Sequence, residues 1–113
     1  MGLSGWLKKL FKPYTKLCDR CSELLAPAKG SHFGKRASEA SKAIASHGCL
    51  VRRAWRSAYV QEGGEELYQC RECGSWWGHV FWTCVPQEAL YRYRKVRSVE
   101  AWVKKWPTGE VVP

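Results

Sequence analysis

The first part of the chain has a helical pattern of apolar and basic positions. One face of residues 3–11 is apolar and consists of Leu3, Trp6, Leu7, Leu10 and Phe11, with lysines on the opposite face. Pro13 ends the predicted helix. Such a helix packs on its own domain or on a partner, or it lies on a membrane surface. We favour packing, because a helix of about three turns needs a docking surface to be stable.

The second half has the short, alternating pattern of an antiparallel sheet. Strands are predicted over residues 50–60, 67–70, 76–85 and 91–97, with a hairpin turn at 62–65 and a connection at 86–90. In the first strand, alternation puts Arg53 and Trp55 on one face and Arg52 and Arg56 on the other. Ser98 is the predicted N-cap of a last helix that runs to residue 106.

A single α+β domain follows from this pattern. At 113 residues the chain is long enough for one modest core and short enough to benefit from a metal cross-link. The predicted parts are a helix and lead-in (1–17), an inserted loop and weakly buried helix (22–48), a sheet of three or four strands (49–97) and a C-terminal helix (98–106). Within the insertion, 26–36 is predicted as loop and 37–47 as helix, ended by Gly48.

Two Cys-x-x-Cys pairs carry the strongest chemical signal. They are Cys18–Cys21 and Cys70–Cys73, the second followed by Gly74, which allows the backbone to curl under a metal with positive φ. Four thiolates complete a closed tetrahedral zinc site and leave no position open for water. The sequence therefore predicts one structural Zn²⁺ on these four cysteines and a protein that is not an enzyme.

Other uses of the cysteines stay open at this point. The 48 residues between the pairs exceed the usual zinc-ribbon spacing, and redox dithiols or disulfides are alternatives. Cys49, Cys84 or His79 can replace one of the predicted ligands. His47 is expected in solvent, as is His32. The chain shows no secretory signal, so we expect a reducing cytoplasm, where clustered thiols usually indicate metal.

Positive charge is concentrated towards the two ends of the chain. The formal net charge is +9, and residues 1–22 carry five basic side chains against one acidic. Residues 91–106 carry six basic against one acidic, and the middle is near neutral. This field attracts nucleic acid or an acidic protein surface.

Arginines alternate with aromatic residues in two of the predicted strands. The candidate partner-binding residues are Arg52, Arg53, Trp55, Arg56, Tyr59, Tyr91, Arg92, Tyr93, Arg94 and Arg97. Trp, Tyr and Arg anchor protein interfaces, and the same types contact phosphates and stack on bases. The pattern also fits a half-exposed strand with rings inward and charges outward.

Residues 67–77, with Cys70, Cys73 and Gly74, resemble the knuckle of zinc-ribbon proteins. Together with the strand around Trp55 and the helix of 98–106, they are similar to small bacterial immunity proteins encoded beside polymorphic toxins. This resemblance implies a non-catalytic cytoplasmic protein that binds and neutralises a cognate toxin. The alternative is a zinc-ribbon protein that binds RNA or DNA.

Overall fold

The fold is built on one antiparallel sheet. The computed structural model describes residues 16–28, 31–33, 38–57, 63–82, 87–104 and 111–112. In chain order the elements are α1 (Asp19–Ser22), β1 (Ser31–Phe33), α2 (Glu39–His47), β2 (Leu50–Ser57), β3 (Gly63–Cys70), β4 (Trp76–Trp82), β5 (Gln87–Tyr93), α3 (Val99–Lys104) and β6 (Val111–Val112). The predicted helix of residues 3–11 lies outside the described residues.

The four long strands, β2 to β5, are neighbours both along the chain and in the sheet. Strand order is β1-β5-β4-β3-β2, with β6 also on β5, and every pairing is antiparallel. The predicted α+β class and antiparallel sheet of three or four strands are confirmed for β2 to β5, and β1 and β6 add two short strands. The loop predicted over 26–36 was wrong at residues 31–33, because this segment pairs with β5 as a short edge strand.

Several predicted boundaries differ from the structure. Gly63 and Gly64, predicted in a hairpin turn, belong to β3, where Gly63 is opposite Trp82 of β4. On the other edge of β4, Trp82 is paired with Gln87 of β5. Most of the predicted connection at 86–90 is therefore strand. Both segments adopt strand conformation because the neighbouring strand β4 supplies hydrogen-bond partners for their backbone groups. Ser98 does cap α3, since its Oγ accepts a hydrogen bond from the backbone N–H of Ala101 at 3.1 Å.

A β-bulge at Arg53 reverses the predicted faces of β2. The pairing with β3 shifts between Arg52 and Ala54, so one residue of β2 has no counterpart. Beyond the bulge, Trp55 shares a face with Arg52 and is opposite Glu66 of β3. The prediction that strict alternation would put Trp55 and Arg52 on opposite faces was therefore wrong.

Helices cover the sheet on both faces. On one face, segment 17–28 and α2 bury a core of Cys21, Leu24, Ala28, Ala40, Cys49, Cys70, Trp77 and Leu90. We call this the α2 face. On the other, the α3 face, Trp102 of α3 packs with Leu67 and Tyr93. Within the described ranges, no helix combines the length and apolar character required to cross a membrane.

Candidate metal centre

The four cysteines of the two predicted pairs converge at the edge of the α2-face core. Their Sγ atoms all lie within 4.8 Å of one another. Cys18 and Cys70 are 3.8 Å apart at Sγ, and Cys21 and Cys73 are 3.6 Å apart. A tetrahedral ion with sulfur ligands at about 2.3 Å requires sulfurs separated by about 3.8 Å. The cluster therefore has the size needed to hold one metal ion.

Each pair is presented by a short turn. Cys18 is the N-cap of α1 and Cys21 lies inside it, with the Ser22 N–H donating to the Cys18 carbonyl at 2.9 Å. Cys70 ends β3, and the Gly74 N–H donates to its carbonyl at 3.0 Å. Gly74 has φ 76°, as predicted from its place behind the second pair. The two turns are the knuckles of the site.

The surroundings of Cys18, Cys21 and Cys73 shift the pKa values of these thiols in different directions. Burial raises the pKa of both Cys18 and Cys21. At Cys73 burial acts in the same direction, but hydrogen bonds, first among them that with Ser75 Oγ, outweigh it and lower the pKa to about 6. Cys73 is thus a thiolate at neutral pH. A bound cation would supply the charge that favours the thiolate form of Cys18 and Cys21.

His47 lies beside the cysteine cluster, where the sequence analysis did not place it. It was expected in solvent, but it is only 5% exposed and its Nε2 lies 3.1 Å from Cys21 Sγ. Burial, and then the charge of Arg20, lower the pKa of His47, which is therefore neutral at neutral pH. The available signal was Gly48, whose left-handed conformation (φ 83°) ends α2 directly after His47.

Cys49 and His79 do not replace a predicted ligand. Cys49 Sγ lies 3.1 Å from Arg20 Nη1 and outside the four-sulfur cluster. His79 lies elsewhere on the sheet, with Nδ1 3.2 Å from Glu66 and Nε2 3.6 Å from Glu88. Cys84 lies outside the described residues. No disulfide joins the five cysteines of the described chain.

Two of the candidate partner-binding residues are inside the protein. Arg56 is 5% exposed and Tyr93 is 3% exposed. The Arg56 guanidinium pairs with Glu65, which also accepts a hydrogen bond from the Tyr93 hydroxyl. These side chains hold the α3 face together, so assigning them to a binding surface was wrong for this conformation.

Other candidates stay at the surface. Trp55 is 50% exposed, and Arg52 on the same face donates to Glu66 at 2.9 Å. Arg53, at the bulge, is exposed and donates to Gln69 at 3.2 Å. Of the remaining candidates, Arg94 and Arg97 are exposed, Tyr91 and Arg92 are half-buried, and Tyr59 lies outside the described residues.

The chain matches no protein-family model, no curated protein and no solved structure. The resemblance to zinc-ribbon and immunity proteins consequently stays a prediction from the residues quoted above.

Proposed function

We propose that this chain is a non-catalytic zinc protein in which one Zn²⁺ on Cys18, Cys21, Cys70 and Cys73 fixes a surface for stoichiometric binding. The observation that carries the proposal is the set of four sulfurs that lie within 4.8 Å of one another, with 3.8 Å between Cys18 and Cys70 and 3.6 Å between Cys21 and Cys73. A tetrahedral S₄ set selects zinc or iron–sulfur chemistry over hard cations. Because such a site is closed, the metal would act as a cross-link and not as a Lewis acid.

The metal is tested on protein purified without chelator. We expect one zinc per chain by elemental analysis and no loss of zinc in Cys49→Ser, which removes a neighbouring thiol from outside the cluster. Cys70→Ser should lose the metal and unfold, because structural zinc contributes on the order of 10 kcal/mol, as much as a small domain's whole stability. Well under one zinc per chain, or iron with its visible absorbance, would overturn the assignment.

The partner proposal rests on Trp55 and the two arginines near it. A side chain built at Gly64 would meet the Trp55 indole at 2.8 Å, so the ring lies closely over this glycine while half of it faces solvent. A pre-positioned Trp beside Arg52 and Arg53 has the composition of an interface anchor. The net charge of +9 favours an acidic protein surface. Following the resemblance, the proposed partner is a cognate bacterial toxin.

The partner is tested by co-expression with a toxin encoded by the neighbouring gene, and by binding to RNA and DNA at physiological salt. We expect protection of the cells, lost in Trp55→Ser and retained in Val103→Ser. Val103 is the matched control, since it is also an exposed apolar residue (43%) but belongs to α3. Nucleic-acid binding of micromolar strength without protection would favour the nucleic-acid alternative and contradict the toxin proposal.

A further inference from the structure

We infer that His47 is an outer-sphere hydrogen-bond donor of the metal centre, whose Nε2–H stabilises the Cys21 thiolate and slows release of the ion. The inference rests on the proposed zinc site and assigns a role to a residue outside the ligand set. Its basis is the position of the imidazole, whose two nitrogens each have a different partner.

The two contacts of the ring fix its tautomer. The backbone N–H of Cys49 donates to His47 Nδ1 at 3.1 Å, so Nδ1 is an acceptor without a proton. In the neutral ring the proton is then on Nε2, which lies 3.1 Å from Cys21 Sγ. A metal-bound thiolate can only accept a hydrogen bond, and the ring offers it a donor.

The first knuckle itself holds His47 in place. Arg20, between the two cysteines of that knuckle, donates from Nη1 to the His47 carbonyl at 3.1 Å. A side chain at Gly48 would meet the same Nη1 at 2.9 Å, so this approach depends on a glycine. The turn that presents Cys21 is therefore hydrogen-bonded directly, through Arg20, to His47, the residue that donates to Cys21.

Ser75 is a second donor near Cys21, and it is shared with Cys73. Its Oγ lies 3.2 Å from Cys21 Sγ and 3.0 Å from Cys73 Sγ, and it accepts a hydrogen bond from Trp77 Nε1–H at 3.1 Å. The hydroxyl has one proton for two sulfurs. Cys21, which is 0% exposed, therefore has in His47 a donor that it does not share with Cys73.

Loss of the donor has a predictable chemical effect. A buried thiolate without its N–H partner is less stabilised, so it is more readily protonated, and protonation of a ligand sulfur releases the metal. Its lone pairs also lie higher in energy, which lowers the energy of sulfur-to-metal charge transfer. Outer-shell partners of metal ligands typically account for about 10–100-fold in metal affinity. His47 should thus affect the rate at which the metal is released as well as the stability of the fold.

The test compares His47→Leu, which has no donor, with His47→Gln, whose amide can donate to the same sulfur. Ser46→Ala, at an exposed neighbouring position, is the control. Zinc transfer to a colorimetric chelator should be about tenfold faster in His47→Leu and close to wild type in the other two. In Co²⁺-substituted protein the sulfur-to-cobalt charge-transfer band should move to longer wavelength in His47→Leu, a shift that loss of packing alone would not cause.

A measurement on the wild-type zinc protein covers the case in which a variant fails to fold. Long-range ¹H–¹⁵N correlation of the His47 ring should show Nε2 protonated and Nδ1 bare. The opposite tautomer, a nitrogen ligand in the X-ray absorption spectrum, or unchanged release in a folded His47→Leu would overturn the inference. Zinc content of the wild type, measured in parallel, separates this outcome from failure of the metal site itself.

Discussion

The guanidinium of Arg56 stacks on the indole ring of Trp102, with Cζ 3.9 Å from the ring centroid. It also donates to the Trp102 carbonyl and pairs with the Glu65 carboxylate, which is 1% exposed. Tyr93 of β5 donates to the same carboxylate. Strands β2, β3 and β5 and helix α3 are therefore joined on the α3 face by a buried charged network in addition to apolar packing.

Removing the cation from this network should be costly. Arg56→Met leaves the Glu65 carboxylate buried without its partner, and the free energy of unfolding should fall by about 3–5 kcal/mol. Arg56→Met combined with Glu65→Gln should recover much of the loss, because no buried charge remains. Urea unfolding measures both. Arg53→Met, at an exposed position of the same strand, is the control, and an Arg56→Met loss no larger than the control would contradict the prediction.

The network also depends on the absence of a side chain at position 78. A Cβ at Gly78 would collide with the Glu65 carboxylate and the Tyr93 ring. Gly78→Ala should therefore destabilise the protein by about 1–3 kcal/mol through overpacking. At Gly74 a Cβ meets nothing within 4 Å, so Gly74→Asn carries only the small cost of its left-handed backbone. Thermal unfolding that ranks the two glycine variants in the reverse order would show this account to be wrong.

Acid should remove a stabilising contribution from Glu66. Burial opposes its ionisation, but hydrogen bonds from Arg52, His79 and Tyr68 outweigh burial and lower its pKa. The contribution is fully present above the unfolded-state pKa, near 4.5, and is lost as the pH falls through the lower folded-state pKa. Glu66→Gln should cost about 1 kcal/mol at neutral pH, and this difference from wild type should shrink below pH 4.5.

Urea unfolding of wild type and Glu66→Gln at matched pH and zinc concentration measures that difference. Glu100→Gln, at an exposed position of α3, serves as the control. A deficit in Glu66→Gln that stays constant or grows on acidification would mean that Glu66 acts through packing and not through its charge.

Zinc binding should make the free energy of unfolding depend on the concentration of free zinc in a predictable way. If zinc binds only the folded chain, each tenfold increase in free zinc above the Kd raises the free energy of unfolding by about 1.4 kcal/mol. Denaturant titrations in zinc buffers should give this slope for wild type and for Cys49→Ser, whereas Cys70→Ser should show no zinc-dependent unfolding transition. Equal slopes in the two cysteine variants would show that the ion binds elsewhere.

The sequence predicted the candidate ligands better than their environment. Cys70, Cys73 and Gly74 were identifiable because a knuckle is a local structure whose spacing determines its geometry. The bulge at Arg53 and the start of β3 at Gly63 were missed, because partner strands set them and alternation cannot report them. Arg56 and His47 were misplaced for the same reason, since their burial depends on partners distant in sequence, Glu65 and Cys21.

The separation of the two knuckles has a consequence for synthesis of the protein. Cys18 and Cys70 are 52 positions apart, so a ribosome adding about 5–20 residues per second needs about 3–10 s to pass from one to the other. During that interval Cys18 and Cys21 have been made without their partners, and the segment they anchor has no sheet to pack on. The N-terminal segment can pack on the sheet only after the C-terminal half has been made. If the cluster binds a metal, the timing of metal delivery would then determine when the chain becomes resistant to proteolysis.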